Sequence, residues 1–180
     1  MPVTPFHFGP ASVAKAAVSN HFSFVAFGLT QVIIDSEPVF YISQGMWPIH
    51  RFFHTYIGAT VVALVVIFFG RRLCEGLLRL WNWRLSKSQR AWLGVSPHIS
   101  MTAMATGALF GGYSHVFLDS IMHSDMHPFA PFSEANGLIY IVSIERLHQL
   151  CVISAALGSV LLSVLLIRRK MRVERVVPPA

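Results

Sequence analysis

Residues 147–167 read LHQLCVISAALGSVLLSVLLI, and this run decides the class of fold. A helix that crosses a bilayer needs ~20 consecutive mostly apolar residues to bridge the hydrocarbon core, and His148 is the only ionisable residue in the run apart from the Cys151 thiol. Working outward, apolar stretches of similar character occupy 47–70 and 97–119, and a less simple one covers 10–34. The composition agrees, since 54% of the 180 residues are hydrophobic and 12% charged, well off the balance of soluble domains. The reading is an all-α integral membrane helical bundle, one domain over 1–180. His7, Lys15 and His21 in the first thirty residues, without a basic leader or a small-residue cleavage site, give no sign of a cleavable signal.

The net charge of +6 does not indicate a nucleic-acid partner, because position matters more than total. Six of the fourteen Lys and Arg residues lie in 71–90 and five in 168–175, both flanking apolar runs. Basic flanks stay cytoplasmic, which assigns the 71–92 link and the basic tail 168–180 to the inside. Loops 35–54 and 119–146, with Arg51 and Arg146 as their lone cations, then face out. Within the link, Leu73, Leu77, Leu80, Trp81 and Leu85 recur at helical spacing while Arg72, Glu75, Arg79 and Asn82 take other faces, which predicts an interfacial amphipathic helix. Cys74 and Cys151 fall near opposite ends of different segments, so no disulfide framework is indicated.

The 10–34 stretch carries Ser19, Asn20, His21 and Ser23 at its middle. Ser and Asn compete for backbone hydrogen bonds and favour helix starts, so one short helix ends here and another begins. Pieces of ~9 and ~12 residues cannot each cross the core. The expectation is a re-entrant hairpin over 10–34 followed by three transmembrane helices.

With the loops so assigned, the histidines and acids outside the basic flanks gather on one side. Asp35 and Glu37 close the second half-helix in IIDSEP, and His50 and His54 open the next span in HRFFHT. His115 and Asp119 close the third span, followed by His123, Asp125 and His127; Glu145 and His148 open the last. Residues four apart share a helical face, so His50 with His54 and His115 with Asp119 can each present two ligand atoms. The stripe from 115 to 127 would extend ~18 Å as a helix, too far for one ion. Either two metals bind or the helix breaks after Asp119, with Pro128 and Pro131 limiting it further. Ionisable groups near spans are costly and default to function. Asp35, His54, His115 and Asp119 are the best candidates, ahead of His7, His50, His123 and Asp125, then His127, Glu145 and His148. His21 and His98 lack a same-face partner and read as interfacial polar groups. His with Asp suits zinc, manganese or iron.

TPFHFGP at 4–10, IDSEP at 34–38, HRFFHT at 50–55 and SHVFLDSIMHSDMHPFAP at 114–131 resemble, in the same order, the blocks of bacterial inner-membrane metal-dependent hydrolases, one branch of which is LexA-regulated. That group is distantly similar to zinc-dependent phospholipase C and related nucleases. By motif the resemblance implies His7, Asp35, His54, His115 and Asp119 as zinc ligands, and it carries over no His-x-x-x-Glu pair. It implies a hydrolase, and the leading reading is metal-assisted hydrolysis of a phosphoester in a lipid or lipid-linked substrate at the outer face of a bacterial inner membrane, with Asp35, His54, His115 and Asp119 holding one ion. In that scheme one or two ions are bound, Asp119 and His7 help bridge to the second, and Arg51 holds the substrate phosphate or snorkels. Glu37 or Asp125 serves as general base or as a partner to a ligand. Two alternatives stand beside this: a di-iron membrane oxidase, disfavoured by the lack of His-x-x-His-His boxes, and a non-enzymatic haem- or metal-binding bundle, disfavoured by the carboxylates.

Overall fold

The computed structural model describes residues 5–176, with the side chains of 169–170 and 172–176 excepted. It is all-helical: α1 (Phe8–Val18), α2 (Phe24–Ser43), α3 (Tyr56–Phe69), α4 (Arg71–Arg84), α5 (Lys87–Leu93), α6 (Met101–Met122) and α7 (Ile144–Val176), with no strand among the described residues. A 3-10 turn, Pro5–His7, leads into α1. The basic tail does not separate from the last apolar run, because α7 continues through it to Val176; residues 177–180 lie outside the description.

The chain breaks after residue 18, where the polar cluster predicts it. Ser23 adopts extended backbone and its side chain accepts from Ala26 N, a serine N-cap that starts α2. The turn sits beside the first turn of α6, since Ser23 N donates to Ala103 O at 3.0 Å. His7, immediately before α1, lies beside Asp119 near the other end of α6. So α1 runs along the bundle in one direction and α2 returns.

The second arm is longer than the sequence predicts. It does not close at Asp35 but continues through Pro38 to Ser43, giving 20 residues and a length of ~30 Å. Asp35 and Glu37 are therefore buried inside a helix rather than ending one. Pro38 removes one ladder bond at a cost of about 3 kcal/mol in a helix interior, and the apolar residues beyond it still extend the helix.

Among the described residues two helices are long and apolar enough to cross a membrane, Phe24–Ser43 and Ile144–Arg168. A third arises only if α3 and α4, bent by 67° at their junction, count as one. α6 covers most of the predicted 97–119 stretch and has 22 residues, but its glycines, serines, His115 and Asp119 dilute its apolarity. The predicted 47–70 helix begins only at Tyr56, after the N-cap of Thr55, so residues 47–54 are irregular. The predicted 71–92 helix divides at Leu85 into α4 and α5, because Ser86 and Gln89 form a reciprocal capping box that starts α5.

Small residues bring the helices together. A Cβ on Gly107 would lie 2.3 Å from Ser23 O, and one on Gly111 3.1 Å from Phe27 O, so α6 meets α2 backbone to backbone. One on Gly112 would meet Ala59 of α3 at 3.1 Å. On the other flank, one on Gly9 would stand 2.0 Å from Cys151 O and one on Gly158 2.0 Å from Ser12 Oγ, which seats α1 on α7. Cys74 and Cys151 are free and buried in separate apolar clusters.

Candidate metal centre

At the end of the bundle opposite the α1–α2 turn, the start of α1, the middle of α2, the end of α6 and the irregular segment before α3 converge. They bury His7, Asp35, Glu37, His50, His54, His115, Asp119 and Asp125 together. His115 Nε2 is the hub: it lies 3.3 Å from His54 Nε2, 3.1 Å from Asp119 Oδ2 and 3.6 Å from Asp35 Oδ1. His54 Nε2 is 3.7 Å from Asp119 Oδ2. Tetrahedral coordination with bonds of ~2.0–2.2 Å places ligand atoms ~3.3–3.6 Å apart, and these separations cluster around that range. The other oxygen of Asp119 faces His7 Nε2 at 3.2 Å. That pair lacks hydrogen-bond geometry, and both atoms are buried with no hydrogen-bond partner among the described residues.

The opposite edges of the rings fix which ring atoms face the centre. His54 Nδ1 faces Glu37 Oε2 at 2.9 Å and His50 Nδ1 faces Asp125 Oδ1 at 2.8 Å. A carboxylate only accepts, so both Nδ1 atoms carry a proton, and in the neutral rings both Nε2 atoms keep a lone pair. His50 Nε2 is then available as a ligand atom, and His50, His54 and Asp119 form one of the groups whose ligand atoms lie within 4.8 Å of one another. Acceptors from several elements thus point at one another in a buried volume, an arrangement that a cation relieves. The buried His and Asp groups can hold a metal ion.

Glu37 and Asp125 are held from several sides. Glu37 accepts from the backbone N–H groups of Arg51 and Phe53 at 3.0 Å as well as from His54. Asp125 accepts from Ile49 N at 3.0 Å and His50 N at 3.2 Å in addition to the His50 ring. Burial alone would raise the Asp125 pKa, but these hydrogen bonds hold it below the ordinary carboxylate value. Each acid fixes the orientation of a histidine ring that faces the centre. The irregular backbone before α3 is fixed by the same two carboxylates.

One part of the site differs from what helical spacing predicts. His50 and His54 do not share a helical face, because both lie on the irregular approach to α3. Their rings are nonetheless 4.7 Å apart, since Asp125 and Glu37 clamp that stretch of chain. Helix α6 does break after Asp119, as one of the two readings of the 115–127 stripe has it, three residues further on. It runs on to Met122, and His123 follows as its C-cap, with its N–H donating to Asp119 O at 2.9 Å. The His123 ring packs on His50 at 4.2 Å between centroids. Burial pushes its pKa down to about 4, so it is neutral and able to donate a lone pair at pH 7. His50, His123 and Asp125 form a further group with ligand atoms within 4.8 Å.

Other candidates stay apart from the cluster. The Arg51 guanidinium lies over the Tyr41 ring at 3.9 Å, and its Nε donates to Pro48 O at 2.8 Å. His127 is exposed and its Nδ1 meets Glu134 O at 2.6 Å. His148 stacks on Phe6 at 4.3 Å, and Glu145 accepts from Gln149. His21 is exposed, and His98 pairs with Arg71 at 2.9 Å near the start of α6.

One residue of the centre escaped the sequence reading. Gln31 is buried, and its Oε1 meets both His7 Nδ1, at 3.2 Å, and His115 Nδ1. The available signal was its place four residues before Asp35 in an otherwise apolar run, which puts both on one face.

No family model, curated protein or solved structure matches the chain. What the fold and site define is an all-helical protein with two helices long and apolar enough to span a membrane and a buried His/Asp cluster able to hold a metal ion.

Proposed function

We propose that this protein is a metal-dependent hydrolase, resident in a bacterial cytoplasmic membrane, that cleaves a phosphoester of a lipid or lipid-linked substrate at the non-cytoplasmic face. The observation that carries the reading is the set of Nε2 and carboxylate atoms around His115, buried together and spaced as the corners of a coordination polyhedron. Zinc is the ion assigned, in one or two copies. Such an ion supplies a Lewis acid and lowers the pKa of water from 15.7 toward ~7.

The chain's own groups have distinct tasks in this scheme. Asp35, His54, His115 and Asp119 hold the first ion, and His7 with the second oxygen of Asp119 faces the place of another. Glu37 and Asp125 keep His54 and His50 in the Nε2-donor form. Arg51, at the rim on Tyr41, is assigned the substrate phosphate through its planar donor fork.

A lipid setting is supported at both ends. Trp47, Phe52, Phe129 and Phe132 are exposed on the loops around the centre, as aromatics at headgroup level are. Only 11% of the most apolar window of α7 is buried within the chain, leaving a surface suited to hydrocarbon. In this reading α2, α6 and α7 cross the bilayer, α3 with α4 reaches the cytoplasmic interface, and the C-terminus is inside.

The test is elemental analysis of the detergent-purified protein with an optical spectrum, followed by release of water-soluble phosphate from phospholipid or polyprenyl-phosphate vesicles. The expected result is bound zinc, a featureless visible spectrum and release that Asp119→Ala abolishes. An iron charge-transfer band would favour the di-iron oxidase, a Soret band the haem protein, and no metal at all would overturn the reading.

A further inference from the structure

Gln31 projects from α2 into the contact with α6 and is 3% exposed. Its Nε2 lies 3.0 Å from Gly111 O. A carbonyl oxygen only accepts, so the amide nitrogen belongs on that side, and this fixes the orientation of the side chain. Oε1 therefore faces the two Nδ1 atoms of His7 and His115. An amide oxygen has two lone pairs and donates nothing, so both rings must carry their proton on Nδ1. In the neutral rings the Nε2 atoms are then left bare, and both point at Asp119.

The contact depends on glycine. The α2 backbone passes so close to α6 at Gly111 that an added Cβ would lie 3.1 Å from Phe27 O, and this approach brings Gln31 within reach of the Gly111 carbonyl.

We propose that Gln31 is a positioning residue that selects the ligand tautomer of two histidines at once, one from each side of Asp119. Its single oxygen couples His7, ahead of α1, to His115 on α6. The proposal rests on the metal-centre reading for its consequence in affinity, but its tautomer claim holds in the metal-free protein. Partners that orient metal-bound histidines typically contribute about 10–100-fold in affinity.

The experiment compares wild type with Gln31→Met and Gln31→Glu. Methionine keeps length and removes the acceptor; glutamate keeps an acceptor for both rings. Zinc affinity is measured by competition with a chromophoric chelator, and the histidine tautomers by 15N shifts in metal-free protein, with His7 and His115 assigned from their Ala variants. The expected result is about 10–100-fold weaker zinc binding in Gln31→Met, substantial recovery in Gln31→Glu, and Nδ1–H forms for both histidines in wild type. Wild-type affinity in Gln31→Met, or neutral Nε2–H tautomers in a wild-type spectrum recorded at a pH where both rings are neutral, would overturn the proposal. If Gln31→Met does not fold, the wild-type spectrum alone decides. A wild type with both Nδ1–H forms but no zinc affinity would sink the metal reading while leaving the tautomer assignment standing.

Discussion

Asp119 serves two sides of the centre with its two oxygens, one toward His7 and one toward His115. Replacing Asp119 or His115 with Ala is expected to remove most bound metal by elemental analysis, whereas His98→Ala, paired with Arg71 at the far end, leaves the metal content at the wild-type level. Glu37 predicts a different signature. In Glu37→Ala two backbone N–H groups and the His54 ring lose an acceptor, at about 1–3 kcal/mol for each group left buried and unpaired. A lower thermal midpoint together with weaker zinc binding is the expected outcome. At this scale the sequence was informative about identity and poor about role. Charged and imidazole groups stand out against an apolar background, so Asp35, His54, His115 and Asp119 were legible. Gln31 was not, because an uncharged amide carries meaning only once its two partners, 24 and 84 residues away, are seen around it.

At the scale of elements, glycine position decides how closely helices meet. Gly107→Ala sets a methyl 2.3 Å from Ser23 O and is expected to destabilise the protein by about 1–3 kcal/mol, as overpacking does. Gly76→Ala in α4 meets nothing within 4 Å, and is expected to stabilise by up to about 1 kcal/mol through helix propensity. Unfolding of the two variants in a denaturant series in detergent checks the pair. The break at residues 19–23 was legible from Ser and Asn. The far end of α2 was not, because Asp, Ser, Glu and Pro in succession resemble a helix terminus, and tertiary burial of Asp35 and Glu37 overrides that local signal. The same holds for His50 and His54, whose closeness comes from carboxylates on other segments rather than from helical spacing.

For the whole molecule, the basic 71–90 link and the cluster lie at opposite ends. With native Cys74 and Cys151 replaced, a cysteine at exposed Ser133 is expected to react with an impermeant maleimide on intact cells, and one at exposed Ser88 only after permeabilisation. The reverse pattern would put the centre on the cytoplasmic side. Chelation supplies a second global test. On the proposed reading, zinc at 100 times its Kd would contribute about 2.7 kcal/mol to the folded state, so EDTA is expected to lower the melting temperature of wild type and to leave that of Asp119→Ala unchanged.

The seating of α1 on α7 has a consequence for biosynthesis. α1 is synthesised well before α7 yet packs chiefly against it, through Gly9 with Cys151 and Ser12 with Gly158. Translation must therefore pass through α7 before His7 gains its lasting support, and a nascent chain halted ahead of that helix would present an open, unfinished pocket to the cell's quality-control proteases.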